Sequence, residues 1–380
     1  MKYFIIAGEA SGDLHGSNLM EGLNHVDKNA EYKVFGGDLM QLKGGEIVRH
    51  YKEMAFMGFL EVVQNLRKIS KNFKICKSAI KKYNPDVVIL IDYPSFNLKI
   101  AEYTKSLGIK VYYYISPKVW IWKEHRVQKI KQFVDKMFVI FPFEIDFYNE
   151  HNYKVYYEGN PLLDSIEEKL KSKPTFKEYI IRNSLAEKPI IALLPGSREH
   201  EIKTMLPRMI KAIKKYKEHQ VVVAGTSSIN KEVYLSLIES SDVKVLYNQT
   251  YELLMHSEAA LVTSGTATLE AGLFKVPQVV CYGGNPLSYI IAKMILKKKI
   301  KYISLVNIIL DKPLLKELIQ HEMSVKNFQN ELDKILYDRK YRDSMLDDYE
   351  RMRNMLGNSG ASVRFAKIIY NSLTNTNNNE

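Results

Sequence analysis

Residues able to do acid–base chemistry and residues able to hold an anion fall in separate short stretches of this chain. The acid–base candidates are Glu9, in Gly8-Glu9-Ala10-Ser11-Gly12-Asp13, and Asp92, in Asp92-Tyr93-Pro94-Ser95-Phe96-Asn97, where Pro94 stiffens the turn. A carboxylate so placed can take the proton of an attacking hydroxyl if the two come within hydrogen-bond reach; the competing readings are that Asp92 caps the next helix and that Glu9 balances a neighbouring cation. Asp13, by contrast, reads as favouring the start of its own helix. The anion candidates are Gly196, Ser197 and Arg198, in Leu194-Pro195-Gly196-Ser197-Arg198, and Ser264, Gly265 and Thr266, in the turn Thr263–Thr266. A small polar turn that opens a helix offers unpaired backbone N–H groups and the positive end of the helix dipole to a phosphate. The hydroxyls of Ser264, Thr266 and Thr268 add donors, and Arg198 adds a guanidinium fork beside a second helix start. Glu270 follows closely, where a carboxylate suits the two hydroxyls of a ribose better than it suits a phosphate. Together these point to a nucleoside diphosphate. The competing reading of the Thr263–Glu270 stretch is an ordinary strand–turn–helix with Thr capping and Glu complementing the dipole.

Each stretch follows an apolar run of strand length. In the first half the runs are Tyr3–Ala7, Lys33–Phe35, Val87–Ile91, Val111–Tyr114, Met137–Phe141 and Val155–Tyr157. In the second half they are Ile190–Leu194, Val221–Ala224, Val243–Leu246, Ala259–Val262 and Pro277–Val280. Helical patterns lie between them. The alternation predicts an α/β fold of two doubly wound Rossmann-like domains, each on a parallel sheet, facing across a cleft. Ligands of such sheets sit beyond the carboxyl ends of the strands, where these stretches fall. Lysine-rich Ser165–Glu187 reads as a helix and interdomain linker. The expected division is a first domain over 1–170, a second over 171–345, and C-terminal helices with a frayed tail over 346–380, the helices returning to the first domain in one arrangement.

A length of 380 residues with 46% hydrophobic content is enough for two cores. Cys76 and Cys281 are too far apart in sequence and too few for a disulfide framework or a zinc site, and read as buried packing. No apolar stretch has the length of a membrane-crossing helix. The net charge of +12 implies an anionic partner. The lysines spread over helix exteriors rather than one face interleaved with aromatics, which argues against nucleic acid. No Asp-x-Asp pair stands at a strand end, so neither a metal nor another cofactor is expected.

Taken in order, GEASGD (Gly8–Asp13), MAFMGFLEV (Met54–Val62), IDYPSFN (Ile91–Asn97), SPKVWIWKEHR (Ser116–Arg126), LPGSR (Leu194–Arg198), TSGTATLEA (Thr263–Ala271) and SLVN (Ser304–Asn307) resemble the motifs of the lipid-A-disaccharide synthase family. The resemblance runs from about Tyr3 to about Gln320. LPGSR and SGTATLE alone mark the wider group of two-domain nucleotide-sugar enzymes; GEASGD with the VWIW loop narrows it to this family. It implies a GT-B glycosyltransferase with UDP-2,3-diacylglucosamine as donor and 2,3-diacylglucosamine 1-phosphate (lipid X) as acceptor. The products are UDP and a β-1,6-linked disaccharide 1-phosphate, made at the cytoplasmic face of the inner membrane of Gram-negative bacteria. A UDP-N-acetylglucosamine 2-epimerase of the same fold is the alternative. Two departures matter. Ser95 stands where the family often has a second acid, so the chemistry goes to Asp92. Lys118 and Lys123-Glu124-His125 vary from the pattern, which leaves acyl-chain preference open.

The resemblance implies that Asp92 is the base, with Glu9 the second candidate for proton acceptor, orienter or sugar ligand. Arg198 and the helix near Ala267 would meet the charge of departing UDP, Glu270 the ribose, and Asn307 the donor. Of Trp120 and Trp122, one is expected to be packed and one to line the cleft. The segment Met54–Ile69 opens with unbranched and aromatic apolar residues, among them Met54, Phe56, Met57 and Phe59, and continues as a helical run that carries Leu66. It is expected to form an exposed acceptor-side patch that docks on an anionic membrane surface, aided by the basic stretch Lys293–Lys301. The oligomeric state is left open, a homodimer included.

Overall fold

A computed structural model gives the fold and describes residues 1–54, 66–121, 123–238, 242–283 and 301–377. The chain forms two compact units: Met1–Ser165 with Leu356–Glu380, and Ile166–Met355.

In the first unit seven parallel strands are ordered β3-β2-β1-β4-β5-β6-β7. They are β1 Lys2–Ala7, β2 Glu31–Gly36, β3 Gly45–His50, β4 Val87–Ile91, β5 Lys110–Tyr114, β6 Lys136–Val139 and β7 Val155–Tyr157. The central strands are near-continuous apolar runs because a parallel sheet is covered by helices on both faces. All five residues of β4 are buried. The edge strand β3 is absent from the sequence reading, since its exposed Glu46 and half-exposed Arg49 and His50 break the apolar signal. The helix Ala361–Asn377 packs on the helix Ala10–Val26. Where they meet, Gly22 leaves no room for a side chain: a Cβ there would lie 2.8 Å from the Ser362 carbonyl oxygen. Asp164 fixes the turn into that last helix by accepting from the amides of Gly360 at 2.6 Å and Ser362 at 2.9 Å.

In the second unit six parallel strands are ordered β10-β9-β8-β11-β12-β13. They are β8 Ile190–Leu194, β9 Gln220–Gly225, β10 Lys244–Tyr247, β11 Ser257–Thr263, β12 Gln278–Tyr282 and β13 Glu317–Ile319. Ser304 caps the helix Leu305–Leu310, its hydroxyl accepting from the Asn307 amide. Cys76 and Cys281 are buried and unpaired, one in each unit.

One expectation is corrected here. Met54 is fully buried and belongs to the apolar core of the first unit, with Phe35, Cys76 and Phe96. Its carbonyl also accepts a hydrogen bond from Tyr93 Oη at 3.0 Å. It is core rather than surface patch, because the turn Tyr51–Glu53 delivers it beneath the sheet's covering helices. Phe56, Met57, Phe59 and Lys293–Ile300 lie outside the described residues, as does the side chain of Leu66, whose backbone opens the helix Leu66–Tyr83. Lys301 is described and pairs with Asp311 at 3.4 Å.

Candidate active site

In the first unit the strand order reverses between β1 and β4, which pair with Ala7 beside Ile91. Such a switch point leaves an opening beyond the strand ends, and Glu9 and Asp92 are delivered there by neighbouring strands. Asp92 and Tyr93 both hold positive φ angles, 41° and 47°. Strain of this kind costs of order 1–3 kcal/mol per residue and persists only where the surroundings impose it. Here the Asp92 carbonyl accepts from Tyr113 Oη at 2.5 Å and from Asn97 Nδ2 at 2.8 Å, and the Asp92 amide donates to the Ile115 carbonyl at 3.2 Å. The Tyr93 ring packs so closely on Gly8 that a Cβ there would stand 2.4 Å from it. With its backbone clamped, Asp92 lines a pocket of about 340 Å3 together with Ser95, Lys118, Lys123 and Arg126. Burial pushes the Asp92 pKa up to about 6; the Glu9 charge acts in the same direction, and Lys118 opposes it. A carboxylate poised there is ionised at neutral pH yet more basic than an exposed one. Glu9 accepts from Ser11 Oγ at 2.9 Å.

The loop carrying Lys118 is held by a residue the sequence reading missed. Glu144 is buried, and accepts from Trp120 Nε1 at 3.2 Å and from the amides of Ile140 and Phe141 at 3.1 and 3.0 Å. Burial raises its pKa to about 7. An acid inside the aromatic run Phe141-Pro142-Phe143-Glu144 was the available signal. Trp120 stands edge-on to Phe143, with ring centroids 4.8 Å apart, so it is a packed tryptophan; Trp122 lies outside the described residues. Asp13 serves another helix than its own, accepting from the amides of Gly37, Leu39 and Met40 at the start of Asp38–Leu42.

The second unit repeats the arrangement. Its strand order reverses between β8 and β11, with Leu194 beside Val262, so the Pro195–Arg198 and Ser264–Gly265 turns emerge side by side. The helix Thr266–Leu273 starts at the second turn. The amides of Gly265, Thr266 and Ala267 have no acceptor among the described residues. A Cβ built on Gly265 meets nothing within 4 Å. Packing therefore does not require glycine at that point, and the space beside it is open. Gly265→Ala is expected to leave the melting temperature unchanged while weakening UDP binding; equal affinity by calorimetry would mean the phosphate lies elsewhere.

Two of the expected hydroxyl donors are spent internally. Ser264 Oγ donates to the Ile303 carbonyl at 3.0 Å, and Thr268 Oγ1 to the Gly265 carbonyl at 2.9 Å. Among the described residues only the Thr266 hydroxyl of the three remains uncommitted. Glu270 lies on the second turn of the helix and accepts from Tyr251 Oη at 2.8 Å; burial raises its pKa. Asn307 is corrected outright. It is buried, its Nδ2 donates to the Leu315 carbonyl and to Glu317 Oε1 at 2.9 and 3.0 Å, and its Oδ1 accepts from the Leu315 amide at 2.8 Å. With these bonds made it clasps two segments of its own domain rather than a donor. Gly196 has a φ of 116°, and Arg198 is reached by Glu201: Arg198 Nη1 donates to Glu201 Oε1 at 2.8 Å. Glu201 Oε2 accepts from the amides of Ser197 and Arg198 at 3.1 and 3.3 Å. The carboxylate thus occupies the donors of the turn as an anionic ligand would. The acid three residues into the helix was its sequence signal.

The fold defined by these two units is shared with solved structures of low sequence identity. The UDP-GlcNAc 2-epimerase of Neisseria meningitidis matches with a TM-score of 0.63 at 14% identity, covering 99% of this chain and 100% of that one. The calicheamicin glycosyltransferase CalG4 matches with a TM-score of 0.59 at 13% identity, covering 99% and 98%. The protein is therefore of the two-Rossmann-domain, GT-B class. Residues 3–368 match the model of the lipid-A-disaccharide synthetase family. Lipid-A-disaccharide synthases of Coxiella burnetii (strain CbuG_Q212) and Myxococcus xanthus (strain DK1622) are each 35% identical to it, covering 97% of this chain and 97% and 96% of their own. The chain belongs to the lipid-A-disaccharide synthase family.

Proposed function

We propose that the protein transfers the sugar of UDP-2,3-diacylglucosamine to the 6-hydroxyl of 2,3-diacylglucosamine 1-phosphate with inversion. The family match over residues 3–368 carries this reading. Asp92 takes the proton of the acceptor hydroxyl as that oxygen bonds to the anomeric carbon. The bond from that carbon to the diphosphate breaks, and its electron pair leaves with UDP. Glu9 assists beside Asp92 by orienting the acceptor sugar. Charge growing on the diphosphate meets the amides of Gly265, Thr266 and Ala267 and the Arg198 guanidinium, donors already oriented before the reaction. Glu270, steadied by Tyr251, accepts from the ribose hydroxyls.

Because amides and a guanidinium carry the leaving-group charge, activity is expected to survive EDTA. A loss restored by Mg2+ or Mn2+ would overturn that account. Among the described residues no helix is long and apolar enough to cross a membrane. Both substrates are lipids, so the reading includes peripheral attachment to the anionic inner face of the inner membrane. The test is incubation with both lipids, followed by mass spectrometry of the disaccharide and measurement of stoichiometric UDP. Epimerisation of the UDP-sugar without an acceptor would favour the 2-epimerase instead.

A further inference from the structure

The pocket that presents Asp92 carries more positive charge than proton transfer requires. Arg126, Lys118 and Lys123 line it. Arg126 is half-buried, the first residue of the helix Arg126–Phe133, and burial presses its pKa down. Among the described residues it meets no carboxylate at ion-pairing distance; its Nη2 donates to the hydroxyl oxygen of Ser95 at 3.2 Å. A carboxylate at that position would neutralise the guanidinium, whereas a hydroxyl accepts its hydrogen bond without compensating its charge. Lys118 acts on Asp92 and Glu144 through space and is likewise in no ion pair among the described residues. A partly desolvated guanidinium without a counter-charge is uncommon unless a ligand provides one. A planar fork backed by ammonium groups matches the oxygens of a phosphate.

We propose that Arg126, with Lys118 and Lys123, binds the phosphate monoester of the acceptor. This rests on the transfer reaction proposed above and assigns the phosphate end of the acceptor to the pocket that holds the base. The Ser95 hydroxyl, while accepting from Arg126, donates to a phosphate oxygen. At about 340 Å3 the pocket takes the sugar phosphate, so the acyl chains lie outside it. Anchoring the phosphate on the cations keeps it off Asp92, and the 6-hydroxyl, at the other end of the ring, is the group left to meet the carboxylate.

The experiment compares diacylglucosamine 1-phosphate with the same lipid lacking the phosphate, in the wild type and in Arg126→Gln. The wild type is expected to prefer the phosphorylated acceptor in kcat/KM. Arg126→Gln is expected to shrink that preference by about tenfold or more, the usual weight of a charged hydrogen bond. Lys118→Gln, at an exposed position, should shrink it in the same direction with no effect on folding. UDP affinity should not change in either variant. A preference that persists in both variants overturns the proposal, and so does a fall in UDP affinity, which would assign the cations to the donor. Competition by inorganic phosphate that the variants leave unaltered would place the anion elsewhere and also overturn it. If the wild type consumes neither acceptor, the transfer reaction itself fails, which separates the two readings.

Discussion

Asp92→Asn is expected to lower turnover by about a hundredfold or more, the usual weight of general-base catalysis, while making the protein more resistant to heat at neutral pH. The first effect follows from removing the only proton-accepting form of that side chain. Retention of more than about a tenth of wild-type activity would take the role from Asp92 and leave Glu9 as the candidate. The second effect follows from the direction of the pKa shift. The folded protein holds the Asp92 proton more tightly than the unfolded chain does, with a pKa of about 6 against an ordinary 3.8. Stability therefore falls as pH rises through that window and stays lower above it. Asparagine carries no charge to bury, and it tolerates the left-handed backbone angle at this position. The variant's melting temperature should exceed the wild type's at pH 7–8, and the difference should vanish as the pH falls towards about 4. Wild-type kcat/KM should rise with pH through about 6 as Asp92 ionises. A profile flat through that range would disconnect the pocket carboxylate from the rate.

Arg198→Ala is expected to weaken UDP binding by about tenfold or more and to lower kcat too, because it removes a charged donor to a group whose charge grows in the transition state. Glu201 sharpens the test. Without its arginine partner that carboxylate remains on the amides of the turn and repels the diphosphate. The double variant Arg198→Ala/Glu201→Ala should therefore bind UDP more tightly than Arg198→Ala alone, a coupling expected of residues in direct contact. A double variant that binds UDP no more tightly than Arg198→Ala, by calorimetry, would show that Glu201 does not compete with the ligand.

Strands buried on both faces were legible in the sequence: Val87–Ile91 and Ile190–Leu194 form as predicted, since uninterrupted apolar runs have few other places to go. The edge strand Gly45–His50 was not, because solvent accepts its charged residues and blurs the alternation. The positions of Glu9, Asp92, Arg198 and Gly265 were also legible, as each follows directly on a strand that had been read. The residues that hold them were hidden. Tyr113 reaches the Asp92 carbonyl across 21 residues, and Tyr251 reaches Glu270 across 19. Nothing local distinguishes these tyrosines from core aromatics. Ser264, Thr268 and Asn307 show the converse: polar residues that a sequence offers as ligand donors can be used up by the fold itself.

The first unit is built from two segments, with the helix Ala361–Asn377 laid against Ala10–Val26. A ribosome releases Met1–Ser165 long before the segment from Leu356 exists, and synthesises all of the second unit in between. The domain that starts first is thus the one finished last. Until the helix Ala361–Asn377 arrives, the surface around Gly22 stays uncovered, and the unit bearing Asp92 waits on a segment made after all of the second unit.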